Sequence, residues 1–361
     1  MHKVHALGNS LSFHKFFYPV RVFKNELREM NLDIEYFSNP LKKGIEDCES
    51  LILFDDNYRD FLPIIQKDRK TAVGFLQEFL KKFPRIIWFD NSGSSGLLRS
   101  YIFPFIAVYA KTQLMRNVDY YLEYHSTVSP HREYVKKVLR IDDPLKAKEP
   151  ISETDKQKLR ISWNTVFKNW NWMNVPRLDR MIDLIKKKEY HFSYSPVNLR
   201  NRGYLIPYRV AYWQKTPTVT WWRTQTREKI EEVLKTNKKY HINPPGRVSK
   251  REFNNEIKNS IVTISPFGIN EICYRDFECF VNGSLLFKAS MEHINTWPDL
   301  FIDDVTYISH KWDFSDFAEK LDSILTHPDR YEEIAREGQN RFREVLSDGH
   351  AFAQHFYEMI Y

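Results

Sequence analysis

Residues 265–288 read SPFGINEICYRDFECFVNGSLLFK, and the fold is decided there. An apolar strand over 261–265 ends at Ser265, and Pro266, Phe267 and Gly268 turn the chain. A helix is predicted over 271–280. Asn282 and Gly283 stop it, and an apolar strand follows over 284–287. Strand, turn, helix and strand in that order make a unit of a parallel α/β sheet. A helix N-terminus that follows such a strand favours a phosphate, because its backbone N–H groups and dipole are unsatisfied. Arg275 and Glu278, three apart, share a helix face. The Glu278 carboxylate can accept both hydroxyls of a ribose. Arg275 can neutralise a diphosphate, and Glu271, a turn earlier, is available to a sugar hydroxyl or to Arg275. The competing reading of the three charges is a surface salt-bridge ladder, a common arrangement worth ~0.2–0.5 kcal/mol per pair.

Working outward, the same rhythm recurs on both sides. Strands are predicted over 4–7, 33–37, 50–54 and 85–89, with helices over 15–30 and 71–83. It restarts after the basic run at Lys186, with strands over 190–194, 240–242 and 305–308. Helices are expected over 222–236 and over 249–259, the latter with Ser249 as N-cap. Helices over 313–325, 331–346 and from 351 onward close the chain. The expected fold is α/β: two doubly wound Rossmann-like domains with a deep cleft between them and C-terminal helices. The first spans 1–185 and the second 186–346. A last helix is expected over 347–361. Ligands in such sheets sit beyond the carboxyl ends of the strands, so candidate residues are sought in the loops there.

Asp90 follows the strand over 85–89 and is a candidate catalytic base. The alternative is a polar turn in which Asp, Asn and Gly serve the backbone. His125 follows an aromatic stretch and is a second catalytic candidate, or a structural histidine. Ser195, Arg200 and Arg202 follow the strand over 190–194, where they suit phosphates or a basic surface loop. Lys288 follows the strand over 284–287 and could approach a bound phosphate or sugar. His293 lies nearby with less support, and residues 243–248 could line the base. The tryptophans at 163, 170, 172, 213, 221 and 222 read as core or interdomain packing, or as sugar-stacking platforms.

Three dispersed cysteines without C-x-x-C spacing argue against a disulfide framework or zinc knuckle. The longest apolar run, 101–110, is ten residues and stops at Lys111, short of the ~20 that span a bilayer. No leader pattern is seen, so a soluble, cytoplasmic protein is expected. The net charge of +7 fits a mixed surface, or attraction to a nucleotide diphosphate, a lipid phosphate, a membrane face or nucleic acid. No P-loop, G-x-G-x-x-G, H-E-x-x-H or G-x-S-x-G motif occurs.

The C-terminal half resembles that of GT-B glycosyltransferases, in particular the family-1-like group that includes the CgeB-type proteins. The resemblance rests on Ser265, Pro266 and Gly268, then Arg275, Phe277 and Glu278, then Gly283 and the strand after it, and covers roughly residues 186–346. It implies a transferase that moves a sugar from a nucleotide-sugar to a hydroxyl of a glycan or glycolipid. Glu278 would hold the ribose, and Arg275 the phosphates. The resemblance also implies an acceptor on the first domain, the nucleotide-sugar on the second, and a last helix that crosses back to the first. Retaining members carry two glutamates with seven residues between them; here Asn270 stands at the first of these positions and Glu271 is one residue off. No D-x-D triplet occurs, which favours GT-B and metal independence. No cofactor is expected beyond the nucleotide-sugar co-substrate, and association with the inner membrane face is one expectation. The alternatives are glucosylation of modified DNA bases, and a non-catalytic nucleotide- or carbohydrate-binding protein.

Overall fold

The computed structural model describes residues 1–8, 13, 16–40, 42–54, 78, 81–127, 129–141, 148–168, 190–210 and 216–361. In the first half the strands are β1 (His2–Leu7), β2 (Leu32–Phe37), β3 (Ser50–Phe54), β4 (Ile86–Asp90), β5 (Val108–Lys111), β6 (Gln113–Met115) and β7 (Leu159–Ile161). Helices α1 (Tyr18–Val22) and α2 (Lys24–Glu29) lie between β1 and β2, and α3 (Pro130–Leu139) between β6 and β7. Six strands form one all-parallel sheet in the order β2-β1-β3-β4-β5-β7. Every residue of β3 and β4 is buried, as near-continuous apolar strands covered on both faces should be.

The second half runs β8 (Leu205–Ile206), α4 (Pro217–Leu234), β9 (His241–Ile242), α5 (Lys250–Lys258), β10 (Val262–Ser265), α6 (Tyr274–Asn282), β11 (Leu285–Ala289), β12 (Ile294–Thr296) and β13 (Ile308–His310). It ends in α7 (Phe317–Thr326), α8 (Glu332–Ser347) and α9 (Gly349–Ile360). β10, β11 and β13 pair in parallel, as do β8 and β9, and a parallel bridge from Gly203 to Ser260 joins the two sets. The resulting run β9-β8-β10-β11-β13 repeats the order β2-β1-β3-β4-β5 of the first sheet. After the second strand the winding reverses direction. Because crossovers are right-handed, the helices before and after that reversal fall on opposite faces. Accordingly α4 packs on α7 on one side, while α5 packs on α6 and α6 on α8 on the other.

Several connections tie the halves together. β6 pairs antiparallel with β12. Asn164 donates its side-chain amide to Thr296 and to the Pro298 carbonyl, at 2.8 and 2.9 Å. From α9, Phe352 packs on Phe23, Trp163 and Phe167, and Phe356 on Phe17. Trp163 and Trp222 are fully buried among such rings, as core rather than sugar platforms.

Several elements depart from the sequence pattern. The helix predicted over 15–30 is broken at Phe23 into α1 and α2. Residues 190–194 form no strand: Tyr190 packs on Phe23 and Phe167, while Phe192 and Tyr194 pack on Phe342. Their alternating rings are held by side-chain packing rather than by a ladder. The strand expected over 305–308 sits later, at β13. The helix of the opening stretch begins at Tyr274, which leaves Glu271 in the loop before it. The helix predicted over 71–83, the domain boundary near residue 185, and residues 170, 172 and 213 lie outside the described residues, apart from 78 and 81–83 of that helix.

Candidate functional site

The chain after β10 meets the loop after β4 directly. Glu271 is fully buried there and accepts hydrogen bonds from the Ser95 hydroxyl (2.7 Å), the Ser95 amide (3.3 Å) and Gln113 Nε2 (2.8 Å). His131 of α3 lies with Nδ1 3.4 Å from the carboxylate, out of line for a hydrogen bond, and its Nε2 contacts the Gly268 carbonyl at 3.0 Å. Burial opposes the charge of Glu271, but His131, His293 and Ser95 outweigh it and hold the carboxyl at about 2. Close approach fixes the facing loops: a Cβ at Gly93 would come within 2.3 Å of the Asn270 side chain. His293 is half-buried beside Phe267 and Trp312, and neither ring nitrogen has a hydrogen-bond partner among the described residues. Burial drives its pKa down to about 4, so its ring is neutral at pH 7 and adds its charge in favour of the Glu271 carboxylate only in acid.

The N-terminus of α6 is closed by its own residues. The Cys273 amide donates to Asp276 Oδ2 at 2.9 Å in a capping box, and Asp276 Oδ1 accepts from Ser265 at 2.5 Å. Lys288 is fully buried, donates to the Glu271 carbonyl (2.7 Å) and pairs with Asp276 (3.3 Å). The phosphate site expected at this helix end is therefore occupied by an acid, and the lysine expected to reach the donor is spent on neutralising that acid. Gly268 turns the chain with its amide donating to the Asn270 carbonyl (3.2 Å). Arg275 and Glu278 lie on α6; Glu271 does not, so the three form no helical ladder.

Arg275 adjoins, through Arg209 and Phe253, a cavity of about 540 Å³ lined by Arg209, Val210, Pro245, Gly246, Arg247, Val248 and Phe253. These residues follow β8 and β9 and open α5, so the cavity lies beyond the carboxyl ends of β8 and β9. The strand order reverses beside β8, the position where open α/β sheets bind ligands. Arg275 Nη2 donates to the Arg209 carbonyl at 2.5 Å, and its guanidinium carbon stands 5.8 Å from the centre of the Phe253 ring. Its Nε is buried without a hydrogen-bond partner among the described residues. Glu278 accepts from Lys250 Nζ. Arg209 pairs with Glu256 through both Nε and Nη2, the shortest contact being 2.6 Å. Arg247 is exposed and makes no ion pair among the described residues. The cavity wall thus holds the Phe253 ring and the guanidinium groups of Arg247 and of Arg209, the latter paired with Glu256. Arg275 and Lys250 stand near that ring, and Lys250 carries Glu278 with it.

The remaining sequence candidates lie elsewhere. Asp90 is fully buried in β4, accepting from the Ser92 amide (2.8 Å), the Tyr109 hydroxyl (2.7 Å) and Lys111 Nζ (3.1 Å). Burial opposes its ionisation, but Lys111 and these donors hold the carboxyl below its ordinary range. His125 is buried with Nδ1 2.8 Å from Glu133 and Nε2 2.7 Å from the Tyr120 carbonyl, its ring stacked on Tyr120. Ser195 donates its amide to the Val281 carbonyl (3.0 Å), at the far end of α6. Arg202 donates to the carbonyls of Ile257, Ser260, Pro196 and Asn282. Arg200 is exposed and faces Asp329 at 3.5 Å. All three lie toward the C-terminal end of α6 or beyond it, whereas Arg275 is at its start. A nine-residue helix rises ~13 Å. The structure therefore does not bring this loop together with Arg275.

Sequence reasoning missed Arg209, Lys250 and Phe253. Lys250 and Phe253 are three apart on the predicted helix over 249–259, so a shared face was readable. Arg209 follows a two-residue strand too short to register as periodicity.

Among the described residues no group of His, Cys, Asp or Glu has the arrangement of a metal site, and no helix is long and apolar enough to cross a membrane. No family model matches the sequence, and no curated protein matches it. Solved structures similar to this chain include HepE of Anabaena in complex with UDP, 9% identical, covering 99% of both chains with a TM-score of 0.44. An alpha-glucosyltransferase in complex with UDP is 11% identical over 100% of this chain and 99% of its own, with a TM-score of 0.42. An alpha1,3-fucosyltransferase is 10% identical over 96% and 82%, with a TM-score of 0.41. The last two are by name sugar transferases, and the first holds UDP. At these identities and TM-scores, no residue's role is carried over from them to this chain.

Proposed function

We propose that the protein is a glycosyltransferase that binds a nucleotide-sugar in the cavity beyond β8 and β9. The observation that carries this reading is the chemistry in and beside the cavity: Arg209, Arg247 and Phe253 in its wall, Arg275 against that wall with an unpartnered Nε, and Glu278 held by Lys250 near Phe253. Guanidinium groups suit a diphosphate, which they meet with planar, paired donors. A base would lie between Val210, Val248 and Phe253, and the ribose hydroxyls would donate to Glu278. Neutralising the diphosphate as it leaves with the bonding electrons is how such a site would assist transfer. Asp90 and His125 act in this reading as positioning residues, because every polar atom of each side chain is already engaged.

The acceptor is read as a hydroxyl of a glycan or glycolipid, and transfer as independent of a divalent metal. The second point rests on the missing D-x-D triplet and is checked by donor hydrolysis in EDTA, which should be undiminished. If the acceptor were instead a modified DNA base, duplex binding would fall steeply with salt. The reading as a whole is tested by calorimetric titration of UDP-, GDP-, ADP-, dTDP- and CMP-sugars. Binding of one of them, lost or weakened about tenfold or more in Glu278→Ala, is expected for a charged hydrogen-bond partner. Binding that Glu278→Ala leaves unchanged would remove the site from the reading.

A further inference from the structure

Lys250 opens α5 and Glu278 sits midway along α6, and the two meet beside the cavity. Lys250 Nζ donates to Glu278 Oε1. The lysine side chain is 44% exposed and the glutamate 11%, so the pair is reached from the lysine's side. Lys250 Nζ stands 5.8 Å from the centre of the Phe253 ring, and Phe253 is a wall of the cavity. Engaged in this way, the ammonium competes with a ribose diol for Oε1 of the Glu278 carboxylate. An ammonium on a four-carbon stem, unlike a guanidinium fork, can change partner by rotating its own side chain.

We propose that Lys250 is an exchangeable latch on the nucleotide site. It holds Glu278 in the empty protein, then passes to the phosphates of an incoming nucleoside diphosphate and frees the carboxylate for the ribose. This rests on the reading of the cavity as a nucleotide site. A phosphate-free nucleoside competes with the ammonium for the carboxylate and offers it nothing in return. The latch therefore selects diphosphates over nucleosides by opposing the latter, as well as by attracting the former.

The test is calorimetric titration of the whole chain with uridine, guanosine, adenosine and their 5′-diphosphates, in wild type and in Lys250→Met. For the base that binds, Lys250→Met should strengthen nucleoside binding about threefold, the worth of a half-exposed ion pair. It should weaken diphosphate binding about tenfold, the loss of one charged hydrogen bond. In a Glu278→Gln background, Lys250→Met should no longer strengthen the nucleoside. Effects of the same sign on both ligands, or an unchanged nucleoside affinity, overturn the latch while leaving the nucleotide site standing. If wild type binds none of the diphosphates, the nucleotide reading itself falls, and the latch with it.

Discussion

At the residue scale, Glu271 shows how burial changes the role of a charge. On a helix surface it would add a few tenths of a kcal/mol. Enclosed by Ser95, Gln113 and His131, it is held at about 2 against an ordinary 4.5, which corresponds to ~3 kcal/mol of pH-dependent stability. The folded-state value is the lower one, so this stabilisation is present above about pH 4.5 and is lost as the pH falls toward 2. His293 and His310 act in a separate window. Burial holds both at about 4 against 6.5, so the unfolded chain takes up protons first and stability declines from pH 6.5 to 4. Denaturant unfolding as a function of pH should show both declines in wild type. Glu271→Gln should lose the lower one and keep most of the upper. A variant with an unchanged acid limb would mean that Glu271 is not charged in the folded protein.

At the scale of elements, α5, α6 and α8 form the layer that carries Glu278 and Lys250. Ser249 accepts from the Glu252 amide at 3.1 Å, and Ser249→Ala should cost about 1 kcal/mol in a denaturant titration. Gly338, within α8, puts two effects in opposition. Helix propensity favours alanine by ~1 kcal/mol. A Cβ there, however, would lie 2.6 Å from both the Thr306 carbonyl and the Phe280 ring. Backbone cannot retreat cheaply, and overpacking costs ~1–3 kcal/mol, so Gly338→Ala should lower stability. A rise would show that α8 can move off α6. The elements legible in the sequence were those with long or cleanly bounded patterns: β3, β10, β11, α5 and the closing helices. The two-residue strand β8 carries too few side chains for a period, whereas β9 falls within the strand predicted over 240–242. The start of α6 was misread because the residues 271–273 are apolar and charged at helical spacing, while Asp276 caps the helix from inside.

At the scale of the whole molecule, the two sheets share one strand order, and each half depends on the other for part of its core. Phe352, fully buried on Phe23, Trp163 and Phe167, should cost ~3–5 kcal/mol when changed to alanine, as large buried aromatic rings do. Calorimetry should show a lower melting temperature; an unchanged one would mean that α9 does not hold to the first half. The site was legible only in part. Arg275 and Glu278 were found because they share one short helix. Arg209 and Phe253 reach the same cavity from β8 and α5, a juxtaposition that only the chain's path creates. The central claim, that this cavity takes a nucleotide-sugar, is tested most directly by thermal unfolding with UDP-, GDP-, ADP-, dTDP- and CMP-sugars. One donor at ~100 times its dissociation constant should stabilise the wild type by ~2.7 kcal/mol, and Glu278→Ala by much less. No stabilisation by any of these donors would contradict the account.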